Sequence, residues 1–243
     1  MVSFLPLLPL EPTPRERIRA VAEEYGIEVR IVEAPVKFQR EGYSVSAEPV
    51  SDETLRDYAP LFEREWRRYP RTLMVRTKLG RIVLGSKVAV QDQPRAAVPE
   101  FVPGWLWLDA DRAAKNPRYG RHVLHHDYFH MIDEWDSPDR RLDAAWEALN
   151  PVGVKYGKGG WFMQKGNPGA SRTDLPGFVN EYSTSAVEED KAEIYSYLLD
   201  NPAFLAERVK ADPVIAAKAT RIKALVKALE PAMDEAWFTK NAE

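Results

Sequence analysis

No cysteine occurs among the 243 residues of this chain. That absence removes disulfide scaffolds, thiolate-held zinc, iron–sulfur clusters and thiol catalysis together. It leaves the redox compartment open, because a cysteine-free chain suits either regime. Histidine is nearly as scarce, with four in all. Charge of one sign is missing too: 34 basic against 37 acidic side chains leave a formal −3. Such a balance argues against a protein built to grip phosphate backbones, so no nucleic-acid partner is expected. No apolar run approaches the roughly 20 residues that span a bilayer, so no membrane partner is expected either. The opening segment, MVSFLPLLPLEPTPRER, begins apolar but has no basic stretch ahead of its apolar run. Pro6 and Pro9 break it, and no small-residue cleavage site follows; it reads as a packed N-terminal arm, with cytoplasmic residence expected.

What is present is ordinary for a globular chain: 44% hydrophobic and 29% charged residues, enough for one large domain or two small ones. Pro12 and Pro14 open a helix predicted to reach Tyr25, Gly26 ends it, and Ile27 to Val32 alternates as a strand. Ser51 starts a second helix in which Leu55, Tyr58, Leu61, Phe62 and Trp66 recur at helical spacing as far as Pro70. A short helix from Arg71 to Thr77, a strand from Arg81 to Leu84, a loop carrying Pro94 and Pro99, and an apolar strand from Trp105 to Leu108 follow. A helix is predicted from about Asn116 to Asp136, and Ser137-Pro138-Asp139 signals another running to Leu149. Residues 150 to 178 read as loop and hold seven of the thirteen glycines. Ser185-x-x-Glu188 reads as a capping box opening a helix to about Leu199, and Asp212-Pro213 opens the last long helix. Strands crowd the first half and helices the second. The expected class is therefore α+β, a single domain with an N-lobe of about 13–136 and a C-lobe of about 137–243.

All four histidines, His122, His125, His126 and His130, fall within nine residues. On a helix turning about 100° per residue, His126 and His130 lie one turn apart and face the same way, and His122 and Asp133 share their quadrant. An H-x-x-x-H pair alone also fits an ordinary polar helix face; the concentration of every histidine here favours a metal. His125 points away from the pair and reads as packed. His122 lies on the ligand side, where it lines a cleft or supports a ligand. A third ligand is sought in Tyr182-Ser-Thr-Ser-Ala-Val-Glu188-Glu189-Asp190-Lys-Ala-Glu193. Glu188 has a capping role, whereas Glu189 and Glu193 share one face; a carboxylate opposite two imidazoles gives a His₂Glu zinc site with an open position. The alternative is a solvated acidic helix start, since carboxylates favour helix N-termini.

In order and spacing these two segments resemble the gluzincin zinc metallopeptidases, most closely the anthrax lethal factor catalytic domain and related zinc-binding metallopeptidases. That family pairs an H-E-x-x-H helix, followed three residues later by an acid, with a tyrosine, a glutamate seven beyond it and a second glutamate four further on. His126, His130 and Asp133, then Tyr182, Glu189 and Glu193, stand in those places. The resemblance covers roughly residues 104 to 230. It implies a zincin-like two-lobed fold with a small N-lobe sheet, an active-site helix and a mainly helical C-lobe. Zn²⁺ would be held by His126, His130 and Glu189, with Tyr182 supporting the oxyanion and Glu193, Asp133 and His122 supporting the ligands. Trp105 to Leu108 would be the edge strand that aligns a peptide or protein substrate, with plain core as the alternative, favoured for Leu106 and Leu108.

One position departs from the family: its catalytic glutamate is Asp127 here. The implied activity is a zinc-dependent hydrolase in which zinc-bound water attacks a peptide carbonyl with Asp127 as base. Because aspartate is one methylene shorter and proton transfer depends first on reach, two alternatives stand beside it. One is a zinc-binding peptide-capture domain with little or no turnover, the other a zinc hydrolase of a non-peptide amide. Gly157-Lys158-Gly159-Gly160 lacks the phosphate-loop frame and reads as a mobile cleft wall, with Trp161 and Phe162 as substrate contacts. Arg64, Arg67, Arg68 and Arg71 read as a solvated helix face. Ser171 and Ser183 have no histidine partner outside the cluster, so a serine triad is unsupported.

Overall fold

A computed structural model describes residues 11–136, 139, 142–163 and 172–242. Residues 1–10 of the N-terminal arm, the Ser137-Pro138 helix start and Ser171 lie outside the described residues. Thr13 caps α1 (Pro14–Tyr25) in a reciprocal capping box with Glu16, and Gly26, at φ 65°, closes it in the left-handed conformation that glycine adopts freely. Helix α1 lies against α2 (Asp52–Trp66), which Ser51 caps and whose stripe of Leu55, Tyr58, Phe62 and Trp66 is buried. Helix α3 (Arg71–Arg76) follows.

These helices cover a seven-stranded mixed sheet: β1 (Glu28–Ile31), β2 (Val36–Gln39), β3 (Ser44–Glu48), β4 (Arg81–Val90), β5 (Gln93–Pro94), β6 (Ala97–Glu100) and β7 (Trp105–Asp109). The first half of β4 runs parallel to both β1 and β7, and its second half pairs antiparallel with β3 and β5. The strand therefore continues past the expected stop at Leu84. Gly85 marks a close approach instead of an end: a Cβ there would stand 2.7 Å from the Cβ of Ala47.

The edge-strand expectation is overturned. β7 is interior, flanked by β4 and β6, and β6 forms the edge. The hairpin partner came from the segment read as a proline loop. Backbone bonds from Asp109 to Ala96 and from Gly104 to Glu100 turn the groups of Ala96, Val98 and Glu100 toward β7. Ala97 and Pro99 thus face outward, where a missing N–H leaves no ladder bond unmade, so proline is tolerated.

The C-terminal half is helical: α4 (Ala110–Lys115), α5 (Pro117–Asp136), α6 (Ala144–Glu147), α7 (Gly160–Met163), a 3₁₀ turn (Tyr182–Thr184), α8 (Val187–Asp200), α9 (Pro202–Ala211), α10 (Pro213–Leu229) and α11 (Glu235–Lys240). The capping box at Ser185 does not form. Ser185 is itself in the right-handed helical conformation at the end of the 3₁₀ turn, and extended Ala186 precedes α8 without a side-chain cap. Asp212 and Pro213 do open α10 as predicted.

One apolar core runs from Ile18 to Phe238 and joins both halves, with a smaller cluster around Val83 and Trp107. Burying a large apolar side chain contributes about 1.5–3 kcal/mol, so the fully buried Phe129, Tyr195 and Trp146 fix how the helices sit. Among the described residues no helix is long and apolar enough to cross a membrane.

Candidate metal centre

Helix α5 buries Leu124, Phe129 and Ile132 on one side, and the Phe129 ring packs 4.8 Å from that of Tyr195 on α8. This contact holds the two helices side by side with their polar stripes facing. His126 Nε2 lies 2.9 Å from Glu189 Oε2, and His130 Nε2 lies 3.6 Å from the same oxygen. The three donor atoms fall within 4.8 Å of one another. Two buried imidazoles and a carboxylate converging with so few hydrogen bonds among them suit a divalent cation of zinc type, with a coordination position left over. The two imidazoles outweigh the burial of Glu189 and hold its carboxyl well below the ordinary range.

A second row of residues backs the first. Glu193 Oε1 lies 3.0 Å from His126 Nδ1, near but off the hydrogen-bond line, and 3.1 Å from His122 Nε2. Glu193 Oε2 accepts from Asn180, and His122 Nδ1 lies 2.9 Å from Asp200 Oδ2. Burial disfavours a charged His122, yet Glu193 and Asp200 outweigh it and push its pKa up to about 9. His122, His126 and Glu193 also form a group of metal-holding dimensions; with two carboxylates on a protonated His122, an ion-pair chain from Asp200 to His126 accounts for it.

Asp127 lines the cleft above the centre, and its carboxyl makes no hydrogen bond to a described residue. Burial raises its pKa against the pull of His126 and His130. Tyr182, in the 3₁₀ turn, places its ring 5.8 Å from that of His126. Gly160 packs directly on this pair of functions: a Cβ there would stand 2.1 Å from the Tyr182 hydroxyl and 2.5 Å from Glu189 Oε1. Asp133 is elsewhere engaged, fully buried and 3.0 Å from Lys191 Nζ, which also meets Asp143 at 2.9 Å. His125 points to the opposite side, with Nδ1 2.6 Å from the Tyr69 hydroxyl and Nε2 3.1 Å from Glu65.

The centre forms the floor of a cleft of about 1030 Å³. One wall is the segment Gln93–Pro99, so the strand that faces the cleft is β6. Arg95 on that wall sits 4.6 Å from the Trp161 ring, which fixes Trp161 to the cleft by a cation–π contact. Asn180, Asp200 and Arg95 escaped the sequence reading. Asp200 continues the stripe of Glu189 and Glu193 by two helical turns and could have been found by extending it. Asn180 and Arg95 carry no local signal, because only folding brings them to α5. The arginine cluster from the end of α2 to the start of α3 is likewise not a simple solvated face. Arg64 and Arg68 flank the fully buried Glu65, and the Arg68 side chain is only 11% exposed.

Fold and centre together define a mixed α+β protein, an N-terminal sheet followed by a mainly helical part, carrying a buried His/Glu group that could hold a metal. The same architecture occurs in the crystal structure of a protein from Bacteroides caccae described as a "putative zinc-binding metallo-peptidase". The two match with a TM-score of 0.59 over 96% of this chain and 94% of that one, at 15% sequence identity. This likeness establishes a metallopeptidase-like fold. No protein-family model matches the chain, and no curated protein matches it by sequence.

Proposed function

We propose that this chain is a single-domain, zinc-dependent hydrolase of peptide bonds, of the gluzincin type. The observation that carries the reading is the convergence of His126, His130 and Glu189 at the floor of a large cleft beside an unengaged Asp127. In it, His126, His130 and Glu189 hold zinc, which when bound supplies the Lewis acidity for attack of water on a carbonyl. Asp127 takes the proton from the attacking water and passes it to the leaving amine. The Tyr182 hydroxyl donates to the carbonyl oxygen as negative charge gathers there. Glu193 steadies His126 from its Nδ1 side, and His122 and Asp200 steady Glu193. The outward groups of Ala97 and Pro99 on β6 offer an extended peptide a short strand edge.

The single-methylene shortening at Asp127 favours a second reading, a zinc-binding cleft that captures a peptide with little turnover. Zinc content of protein purified without chelator, together with cleavage of a diverse peptide library, tests both. Absence of stoichiometric zinc overturns both. Cleavage that Asp127→Asn abolishes supports the hydrolase. An inert native protein that Asp127→Glu makes active supports capture.

A further inference from the structure

We propose that the cleft selects its substrate through a carboxylate, docked on Arg112 and Arg118 at the α4–α5 side. The inference rests on the peptide-hydrolase reading and names the class of peptide: acidic, through a side chain or through a free C-terminus.

Several arginines elsewhere in this protein are paired with carboxylates. Arg15, Arg17, Arg40, Arg67, Arg76 and Arg81 each lie within ion-pair distance of a glutamate or aspartate. Arg112 and Arg118 line the cleft, and neither forms an ion pair with a carboxylate among the described residues. Tyr119, next to Arg118 in the chain, lines the same cleft. Arg95 adds a third guanidinium on the β6 wall, within electrostatic reach of Asp127, Tyr182 and Glu189.

Three of the five acids that line the same cleft are paired with histidines, and Asp127 and Glu181 are not. Glu189 and Glu193 meet His126, Asp200 meets His122, and Glu181 lines the cleft beside Tyr182. On the α4–α5 side, Arg112 and Arg118 are the cationic groups that an anionic group of a ligand can meet. A guanidinium is a planar fork that takes both oxygens of a carboxylate, which favours this group over a diffuse anionic partner. A peptide carries carboxylates only on Asp and Glu side chains and at its C-terminus, and the experiment separates these two sources.

The probes are four dansyl-labelled octapeptides of alanine and serine, alike except in charge. One has a central Glu and an amidated C-terminus, one a central Gln and a free C-terminus. The others are a Gln amide and a Lys amide. Binding is followed by fluorescence anisotropy on zinc-supplemented and on chelator-treated protein, with zinc content and cleavage measured separately. Loss of zinc or of cleavage thus speaks only to the hydrolase reading, and charge preference only to this one. The expected result is binding of at least one carboxylate peptide about tenfold tighter than the Gln amide, weakening as salt rises. Arg112→Gln with Arg118→Gln should erase the preference, and Arg118→Glu should shift it toward the Lys peptide. Arg118 is exposed, so its variants keep the test valid should Arg112→Gln unfold the chain. Equal binding of all four peptides, preference for Lys, or a carboxylate preference that survives in the folded double variant would overturn the proposal.

Discussion

At the scale of single residues, the centre works by convergence, and small changes there should act on metal affinity before they act on folding. Glu193 touches both His126 and His122 without itself completing the trio of donors. Glu193→Gln keeps the shape and removes the charge that favours His126 as a donor. Supporting carboxylates of this kind typically change metal affinity by about 10–100-fold, so zinc competition against a chromophoric chelator should show weakening in that range. Gly160 gives a second prediction. Because a methyl group there would overlap the Tyr182 hydroxyl and Glu189 Oε1, Gly160→Ala must move one of them. Peptide cleavage should fall while the melting temperature stays near that of the native protein, since α7 is a short surface element. An unchanged cleavage rate would show that neither function depends on this contact. The residues legible in advance were those repeating along one helix face: His126 with His130, and Glu189 with Glu193. Asp133 shows the limit of that logic. Its place on the stripe put it among the supports of the ligands, and a buried lysine from α8 claimed it.

At the scale of elements, α5 is held by different chemistry on its two sides. Toward α8 lie the metal-type centre and the Lys191 pair. Toward α2 lies Glu65, fully buried and met by His125, Arg64, Arg68 and Arg121. Removing one member of such a network strands the others, at a cost of about 3–5 kcal/mol, so Glu65→Ala should lower stability in denaturant by that amount. The sign of its pH dependence follows from two shifts. Burial opposes the ionised Glu65, but His125 and Arg68 outweigh it and hold its carboxyl well below the ordinary range. Burial lowers the pKa of His125 despite Glu65. In both cases the unfolded chain binds more protons than the folded one on the acid side, so stability rises with pH there. The contribution of Glu65 is complete above its unfolded value of about 4.3 and drains away as pH falls below it. Denaturant melts from neutral pH into the acid range should show a steeper loss in the native protein than in Glu65→Gln. Equal slopes would sink this account. Helix starts at Pro14, Ser51 and Asp212 were legible because first-turn proline and capping are local chemistry. The start at Ser185 was misread because the preceding 3₁₀ turn had already set its backbone.

At the scale of the whole molecule, one core joins the sheet to the helical part, and the centre lies where α5 meets α8 within that part. A metal bound there would tie α5 to α8 and so stabilise the fold. With zinc at about 100 times its dissociation constant, linkage adds about 2.7 kcal/mol. Removing it with chelator should lower the melting temperature, and adding zinc back should restore it. His126→Ala with His130→Ala should melt at one temperature with or without zinc. A chelator effect that persists in that variant would place the metal elsewhere.

The division between sequence and structure follows the range of the forces involved. Composition excluded thiol chemistry, and helical periodicity put two imidazoles on one face and two carboxylates on another, because both depend only on neighbours along the chain. The α+β class followed from where apolar alternation gave way to helical spacing. What only the tertiary structure decided depends on residues far apart. The sheet placed β6 at the edge, where an outward-facing proline loses no ladder bond. Packing of Phe129 on Tyr195 turned the two polar stripes toward each other. The same packing sent His125 to Glu65 and Asp133 to Lys191, away from the centre. A periodic pattern fixes which side chains share a face. The burial of a common core decides what that face meets.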